Sequence, residues 1–237
     1  MSNVFKFKQF SINQTDAPFK VGTDGVLLGA WCGKELQGAT SILDIGTGTG
    51  LIALMLAQRF TSSKVEGLEI NDSAGYVANN NFHDSPWKKR LTLFNTSLQN
   101  FQSKKQYDLI VCNPPFFIDS LKSGNSDKDT ARHTIDLNLN SILHFATINL
   151  AILGVLSLVI PFDQKEELLK LASNFKLNLS QFCAIYPTPT SKPKRILVEF
   201  KKEKCSSKSE ELIIEEFGRH QYSEAYKELT RDFYLKF

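Results

Sequence analysis

Cysteine and histidine are both scarce in this chain, which has four of each among 237 residues. The cysteines form no C-x-x-C pair and the histidines show no ligand spacing, which argues against a structural zinc site. It also argues against a secreted domain held together by disulfide bonds. We therefore expect no metal and a reducing, cytoplasmic environment.

A long uninterrupted apolar run is also missing at the start of the chain. The first ten residues, MSNVFKFKQF, alternate aromatic residues with lysine or polar residues. Such a segment is typical neither of a signal peptide nor of a membrane anchor. We expect no secretion and no association with a membrane.

The length of the chain leaves little room for two full domains. A hydrophobic content of 42% is enough to fill one large core. We expect a monomer with a single domain over residues 1–237, in which 1–40 form a cap segment and 41–202 form the core.

Strand-like and helix-like segments alternate along the core, which predicts a doubly wound parallel sheet with its ligand at the carboxyl ends of the strands. The turn PTPTSKPK joins the last two strands without a helix, so that pair is predicted to be antiparallel. We expect an α/β fold with a seven-stranded, mostly parallel sheet, one antiparallel strand and helices on both faces. The predicted strands are 42–45, 64–70, 91–94, 107–112, 155–160, 179–186 and 195–201, and the main helices are 51–60, 71–82, 139–153 and one capped by Asp163.

A glycine-rich turn, DIGTGTG at 44–50, follows the first of these strands. Glycines between a strand and a helix let a ligand approach the backbone closely, as in nicotinamide, flavin and S-adenosylmethionine sites. The G-x-G-x-G spacing fits the pyrophosphate fingerprint imperfectly. Asp44 at the mouth of the turn would repel a pyrophosphate but accommodate the ammonium group of a methionine moiety.

Glu69 closes the next predicted strand, 25 residues after Asp44. A carboxylate at that position suits the two hydroxyl groups of a ribose. Helix capping or simple solvation is the alternative role for Glu69, and a plain tight connection is the alternative for the glycine turn. The coincidence of glycines, flanking acid and strand-to-helix context favours a cofactor site.

The fourth predicted strand, YDLIVC, stops abruptly at NPPF, residues 113–116. Proline has no N–H group and fixes φ near about −65°, so the two prolines end the strand and hold the carbonyls of Asn113 and Pro114 in a fixed direction. The Asn113 side chain and a backbone carbonyl then offer two acceptors beside the flat ring of Phe116. This arrangement predicts a pocket for a planar NH2 group.

In that order and spacing, DIGTGTG, Glu69 and NPPF resemble class I S-adenosylmethionine-dependent methyltransferases that modify exocyclic or amide NH2 groups. KVGTDGVLLGAW before the glycine turn and YSEAYKELTRDFYLKF at the end are similar to the bacterial tRNA(Val) adenine-N6 methyltransferase family, which modifies the adenosine 3′ to the anticodon. The resemblance implies a Rossmann-like fold, S-adenosyl-L-methionine as cofactor, and methyl transfer to the exocyclic N6 amine of an adenosine in tRNA.

The resemblance also implies roles for single residues. Carried over, the family pattern gives a target-base pocket of Asn113, Pro114 and Phe116, and a cofactor site of Thr23, Asp24, Asp44, Gly46, Gly48, Glu69 and Asn113. Two positions depart from that pattern. Phe116 stands where many N6-methyltransferases carry tyrosine, and NTSL at 95–98 stands where many relatives bind the cofactor's adenine with an acid. Ser97 or a backbone carbonyl is expected to substitute there.

Basic residues bunch at two places, 88–90 and 192–204. Each bunch alone is equally consistent with a solvated surface, and the net charge of +3 permits a nucleic-acid partner without requiring one. Together with the pocket, the bunches predict contacts with tRNA phosphates. The predicted RNA-binding residues are Lys88, Lys89, Arg90, Arg132, Lys192, Lys194 and Arg195.

The pocket motif does not by itself select one NH2 group. Guanine N2 in ribosomal RNA, adenine N6 in DNA and a release-factor glutamine remain alternatives. Only about 40 residues precede the first sheet strand, too few for the helical domain of the glutamine enzyme, and no large insertion offers a DNA-recognition domain. A nicotinamide-dependent oxidoreductase is the alternative from another class, and the imperfect fingerprint counts against it.

Overall fold

The computed structural model describes residues 3–15, 17, 20–36, 38–115 and 137–236. The strands there are β1 Val4–Lys6, β2 Ser11–Asn13, β3 Ser41–Ile45, β4 Lys64–Glu69, β5 Leu91–Asn95, β6 Tyr107–Cys112, β7 Leu150–Pro161, β8 Asn178–Tyr186, β9 Arg195–Lys201 and β10 Lys208–Ile213. The helices are α1 Thr23–Trp31, α2 Leu51–Arg59, α3 Asp72–His83, α4 Leu139–Asn149, α5 Lys165–Asn174 and α6 Glu224–Thr230. Two predicted site residues, Phe116 and Arg132, lie outside the described ranges.

The main sheet has eight strands in the order β10-β8-β9-β7-β6-β3-β4-β5, and β1 and β2 form a separate hairpin. Every neighbouring pair in the main sheet is parallel except the two that involve β9, which runs antiparallel to β7 and to β8. All seven predicted strands are present, and the predicted reversal is confirmed. The added strand is β10, whose sequence KSEELI is mostly exposed at the sheet edge and gives no apolar alternation.

The central strands are buried on both faces, which is why their sequences are nearly continuous apolar runs. Side chains alternate along β3, so Ile42 packs into one apolar layer and Leu43 into the other. The first layer includes Trp31 of α1 and Leu54 of α2, and the second includes Leu143 of α4. The sheet is therefore held between two separate apolar layers.

Pairing register determines which residues leave the sheet side by side. Ile45, the last residue of β3, pairs with Leu68 of β4 and with Cys112 of β6. Neighbouring strands lie about 4.8 Å apart, so the residues after these three partners emerge close together at the carboxyl edge of the sheet. Those residues are Gly46, Glu69 and Asn113.

Two predicted helix boundaries are wrong. The helix predicted over 139–153 ends at Asn149, and β7 begins at Leu150, where the backbone is extended. The apolar run continues through this change, so periodicity alone cannot locate it. The predicted cap, Asp163, instead lies in a 3-10 turn, and α5 starts at Lys165 without a side-chain capping bond.

Both ends of the described chain pack on the same side of the core. The Lys8 N–H group donates to the Phe233 carbonyl at 2.8 Å. Asn81 of α3 accepts a hydrogen bond from the Asn13 N–H group and donates one to the Thr49 carbonyl in the glycine turn. The β1–β2 hairpin is thereby tied to the glycine turn. No helix in the described ranges is long and apolar enough to cross a bilayer.

Arg90 fastens the end of α2 to the start of β5. Its guanidinium donates to the carbonyls of Ala57, Phe60 and Ser63 at 2.7–3.0 Å. These are carbonyls in and just beyond the last turn of α2, where a cation is favoured by the helix dipole. The side chain therefore has a structural role.

Arg90→Ala should lower the free energy of unfolding by roughly 2–3 kcal/mol, because it leaves several carbonyls without their charged donor. Lys89→Ala, at an exposed neighbouring position, is the matched control and should change it by less than about 0.5 kcal/mol. Urea denaturation measures both values. Equal effects of the two variants would show that the carbonyl contacts do not stabilise the fold.

Candidate active site

The glycine turn between β3 and α2 needs its glycines for two different reasons. Gly46, Gly48 and Gly50 have φ values of +69°, +57° and +84°, a region that other residues rarely adopt. A Cβ atom at Gly50 would lie 2.6 Å from Phe82 Cε1, so that glycine lets α3 pack closely. No atom of the residues that the structure describes would lie within 4 Å of a Cβ atom at Gly48. Gly48 therefore faces open space in which a ligand can contact the backbone.

Glu69 lies where the glycine turn meets the carboxyl end of β4. One carboxylate oxygen accepts a hydrogen bond from the Gly48 N–H group and the other from the Asn71 N–H group, both at 2.9 Å. A carboxylate has about four lone-pair positions, so acceptor capacity remains for two hydroxyl groups. Helix α3 is capped by the Asn71 side chain, which accepts from the Ala74 N–H group, so Glu69 is not the helix cap.

Asp44 is fully buried at the start of the turn. Its Oδ2 atom accepts hydrogen bonds from Thr47 Oγ1 at 2.6 Å and from the Ala53 N–H group at 3.1 Å. Its Oδ1 atom is buried and has no hydrogen-bond partner among the described residues. Burial raises the pKa of this carboxyl to about 7, although the two hydrogen bonds oppose the rise.

Asn113 is the first residue after β6, and the next residue, Pro114, is buried. The first turn of α1 passes beside it, since a Cβ atom at Gly25 would lie 4.0 Å from Asn113 Nδ2. Asn113 is therefore fixed between the carboxyl edge of the sheet and α1. The third predicted pocket residue, Phe116, lies outside the described part of the chain.

A small cavity of about 30 Å³ lies at the carboxyl ends of β3, β4 and β5. It is lined by Gly46 and Ser97 together with apolar side chains, among them Leu68, Ile70 and Leu137. The structure thus places Ser97, which is expected to bind the cofactor's adenine, in the same cavity as Gly46 of the glycine turn. Leu137 was missed by the sequence reasoning. Its methyl group would be 3.2 Å from a Cβ atom at Gly46, so it covers the turn.

Thr23 and Asp24, two other predicted cofactor residues, do not line the same cavity as Ser97. They lie in the first turn of α1 and line a separate cleft, not the small cavity at Gly46. The Asp24 carboxylate accepts a hydrogen bond from Arg195 Nε at 2.8 Å and forms an ion pair with it. The structure therefore joins a predicted cofactor residue to a predicted RNA-binding residue.

The two basic bunches lie at different positions relative to this edge. Residues 88–90 precede β5 and are therefore at the amino edge of the sheet, opposite Asn113. The run 192–204 is divided by β9. Because β9 is antiparallel, Lys192, Lys194 and Arg195 lie at the carboxyl edge, where Arg195 pairs with Pro161 in the strand register, and 201–204 lie at the opposite edge.

Residues 29–174, more than half of the chain, match the family model of the Methyltransferase small domain. A relative from Flavobacterium psychrophilum is 42% identical over 98% of this chain and 100% of its own length, and is named tRNA1(Val) (adenine(37)-N6)-methyltransferase. A relative of the same name from Bacteroides thetaiotaomicron is 42% identical over 98% of this chain and 97% of its own length. The chain belongs to this methyltransferase family.

Solved structures share the fold of this methyltransferase at low identity. A predicted O-methyltransferase from Agrobacterium tumefaciens has a TM-score of 0.70 at 16% identity, over 89% of this chain and 96% of that one. A TehB-like SAM-dependent methyltransferase from Corynebacterium glutamicum has a TM-score of 0.51 at 18% identity, over 78% and 90%. The predicted Rossmann-like methyltransferase fold is confirmed.

The buried Asp44 carboxyl predicts a pH-dependent stability for the methyltransferase. Its pKa rises from 3.8 to about 7 on folding, so the folded state binds this proton more tightly than the unfolded state. The resulting stability is complete below about pH 4 and is lost as the pH rises through about 7. Asp44→Asn keeps the shape but cannot ionise. We therefore compare the free energy of unfolding of Asp44→Asn with that of wild type at each pH. The value for the variant minus the value for wild type should be larger at pH 8 than at pH 5 by roughly 2 kcal/mol.

Chemical denaturation at both pH values measures this difference. A difference between Asp44→Asn and wild type that is the same at pH 5 and pH 8 would contradict a raised pKa at this site.

Proposed function

We propose that this methyltransferase transfers a methyl group from S-adenosyl-L-methionine to the exocyclic N6 amine of an adenosine in tRNA, the reaction given by the names of its relatives. The observation that carries this proposal is the pairing register of β6, β3 and β4. It places Asn113 beside the glycine turn on one side and Glu69 on the other. A residue suited to an NH2 group is thus one strand away from a site suited to a methyl donor.

The described residues fit S-adenosylmethionine in three respects. The open space at Gly48 admits a ligand to the backbone, and Glu69 retains acceptor capacity for ribose hydroxyls. The Oδ1 atom of Asp44 has no hydrogen-bond partner in the described part of the chain, and as an acceptor it suits the ammonium group of the methionine moiety. Ser97 and its apolar neighbours would hold the adenine ring. Their cavity is about 30 Å³, close to the space of one water molecule, so Leu137 has to move aside.

Asn113 would act on the target amine by orienting it. The lone pair of the adenine N6 atom is delocalised into the ring, which makes the amine a poor nucleophile. One N–H group of the amine would donate a hydrogen bond to the Asn113 side-chain oxygen, and the other would donate one to the Pro114 carbonyl. These two hydrogen bonds would favour a pyramidal nitrogen whose lone pair faces the methyl donor.

The cofactor supplies a methyl group bound to sulfonium, which is an electrophile without help from a metal. Bound S-adenosyl-L-methionine would give up this methyl group to the N6 atom, so that an N–C bond would replace the S–C bond and S-adenosylhomocysteine would be the second product. The methylated nitrogen is then strongly acidic, and its proton leaves to water. Positioning by Asn113 therefore replaces a dedicated base, and no residue of this chain is assigned that role.

The RNA surface would lie at the carboxyl edge. Lys192, Lys194 and Arg195 share this edge with Asn113, whereas 88–90 lie at the opposite edge. Phosphates on either side of a flipped adenosine must lie near the pocket that holds the base. We therefore assign the phosphate contacts to Lys192, Lys194 and Arg195, which lie at or just before the start of β9.

Asn113→Ala should lower kcat for tRNA methylation by at least about 100-fold, because it removes an acceptor from the reacting amine. The affinity for S-adenosylhomocysteine should stay within about threefold of wild type, as titration calorimetry can measure. Asn113→Asp keeps oxygen acceptors and is the matched control, for which measurable activity is expected. Methylation by Asn113→Ala at the wild-type rate would rule out this pocket.

Mass-spectrometric mapping of RNA tests the proposed substrate directly. Total tRNA and ribosomal RNA would each be incubated with the protein and methyl-labelled S-adenosylmethionine, then digested to nucleosides and to sequence-assignable fragments. We expect labelled N6-methyladenosine in tRNA, next to the anticodon. Label in ribosomal RNA alone, or on guanine, would overturn the proposal.

A further inference from the structure

A cleft of about 860 Å³ lies next to α1 and shares no lining residue with the small cavity beside Gly46. Four aromatic side chains line it, Phe5, Tyr222, Tyr226 and Tyr234. The rings of Tyr222 and Tyr226 are stacked, with centroids 5.1 Å apart and planes inclined by 26°. Tyr226 is buried and Tyr222 is half-buried, so the cleft has an aromatic wall with a fixed base.

The wall is rigid because it is bonded to the main sheet. The Ile214 N–H group, just after β10, donates to the Tyr186 carbonyl at 2.8 Å. The Ser223 N–H group donates to the Ile214 carbonyl at 2.9 Å, and the Ser223 side chain caps α6 at Tyr226. The unpredicted strand β10 therefore carries α6 and holds its tyrosines in place.

The cleft belongs to the parts of the chain outside the matched methyltransferase domain. Among the residues that the structure describes, those lining the cleft are residue 24 or earlier, or residue 185 or later, whereas the domain match covers 29–174. The matched region contains the glycine turn, Glu69 and Asn113. The chain segments outside the matched domain are therefore candidates for selecting the substrate, because the matched domain already contains the residues assigned to methyl transfer.

The cleft adjoins the target pocket. Asp24 lines the cleft, and the next residue of α1, Gly25, is the one whose Cβ atom would lie 4.0 Å from Asn113 Nδ2. The ion pair of Asp24 with Arg195 forms the boundary between the two. A nucleotide chain with one base at Asn113 therefore brings its neighbouring nucleotide to the cleft.

Charge at the cleft suits a nucleic acid. Its basic side chains are Lys6, Lys194, Arg195 and Lys236, and its acidic side chains are Asp24 and Glu215. Aromatic faces combined with an excess of basic groups are the usual surface for single-stranded nucleic acid, in which bases stack and phosphates are neutralised.

From these observations we infer that the cleft holds an unpaired nucleobase directly adjacent to the target adenosine, with stacking by Tyr222 and a phosphate contact by Lys194. The inference rests on the proposed function, since it takes the substrate to be tRNA. It assigns to the two chain ends the recognition of the anticodon loop around the modified base.

Tyr222→Ala tests the stacking contact by loss of the ring. The dissociation constant for an anticodon stem-loop, measured by fluorescence anisotropy, should rise about tenfold, because the stacking contact with one base is lost. Tyr222→Phe keeps the ring and should bind within about twofold of wild type. Affinity for S-adenosylhomocysteine and the melting temperature with it bound report whether each variant is folded.

An abasic substitution identifies the base that enters the cleft. Each nucleotide flanking the target would be replaced in turn by an abasic site in the stem-loop. At one flanking position, the substitution should weaken binding to wild type about tenfold and hardly affect binding to Tyr222→Ala, because the same contact is already missing. Equal losses for both proteins at every flanking position would overturn the inference.

Lys194→Gln supplies a second test at an exposed position, where misfolding is not expected. The dependence of the logarithm of the binding constant on the logarithm of salt concentration should become shallower by about 0.7, the value for one phosphate contact on a single strand. An unchanged salt slope would contradict the phosphate contact.

Binding of the stem-loop does not depend on turnover, so failure of the inference can be distinguished from failure of the proposed function. If wild-type protein binds the stem-loop through Tyr222 but never methylates tRNA, the inference about the cleft stands and the proposed reaction is refuted. If tRNA is methylated but Tyr222→Ala does not change binding of the stem-loop, the proposed reaction stands and the inference about the cleft is refuted.

Discussion

Hydrogen bonding between parallel strands is the constraint on which the site depends. With Ile45 of β3 paired to Leu68 and to Cys112, the next residues, Gly46, Glu69 and Asn113, must lie side by side at the carboxyl edge of the sheet. The apolar layers on both faces secure this register, because a shift by one residue would turn Ile42 and Leu43 toward the wrong layers. Gly46, Glu69 and Asn113 are thus brought together by the packing of side chains remote from the chemistry.

The molecule divides its tasks between this core and the added chain ends. The core supplies a glycine turn open at Gly48, a carboxylate beside it and an amide one strand away. Strand β1, the segment that follows β10, helix α6 and the residues after it contribute side chains to the aromatic cleft. Asp24 and Arg195 join the two regions through their ion pair, so chemistry and substrate selection meet at the start of α1.

The sequence predicts most of the core and little of the additions, for physical reasons. Strands β3, β6 and β7 are mostly apolar runs, Gly46 and Asn113 directly follow β3 and β6, and Glu69 is the last residue of β4. Strand β10 begins with four exposed polar or charged residues and has one buried residue, Leu212, so no periodic pattern reveals it. The role of Arg90 depends on carbonyls about 30 residues earlier in the chain, and the tyrosine cleft combines residues more than 200 positions apart. Contacts of that kind leave no local signal, and a basic triplet at 88–90 looks the same at either edge of the sheet.

A crystal structure with S-adenosylhomocysteine and an anticodon stem-loop bound is the most direct test of this arrangement. The account predicts that the ribose hydroxyls of S-adenosylhomocysteine lie within hydrogen-bonding distance of Glu69, with its amino acid moiety at the glycine turn. It also predicts that the exocyclic amine of the target adenosine donates to the Asn113 side chain. A ribose bound away from Glu69, or a target base bound away from Asn113, would contradict the central claim that the register of β6, β3 and β4 builds the active site.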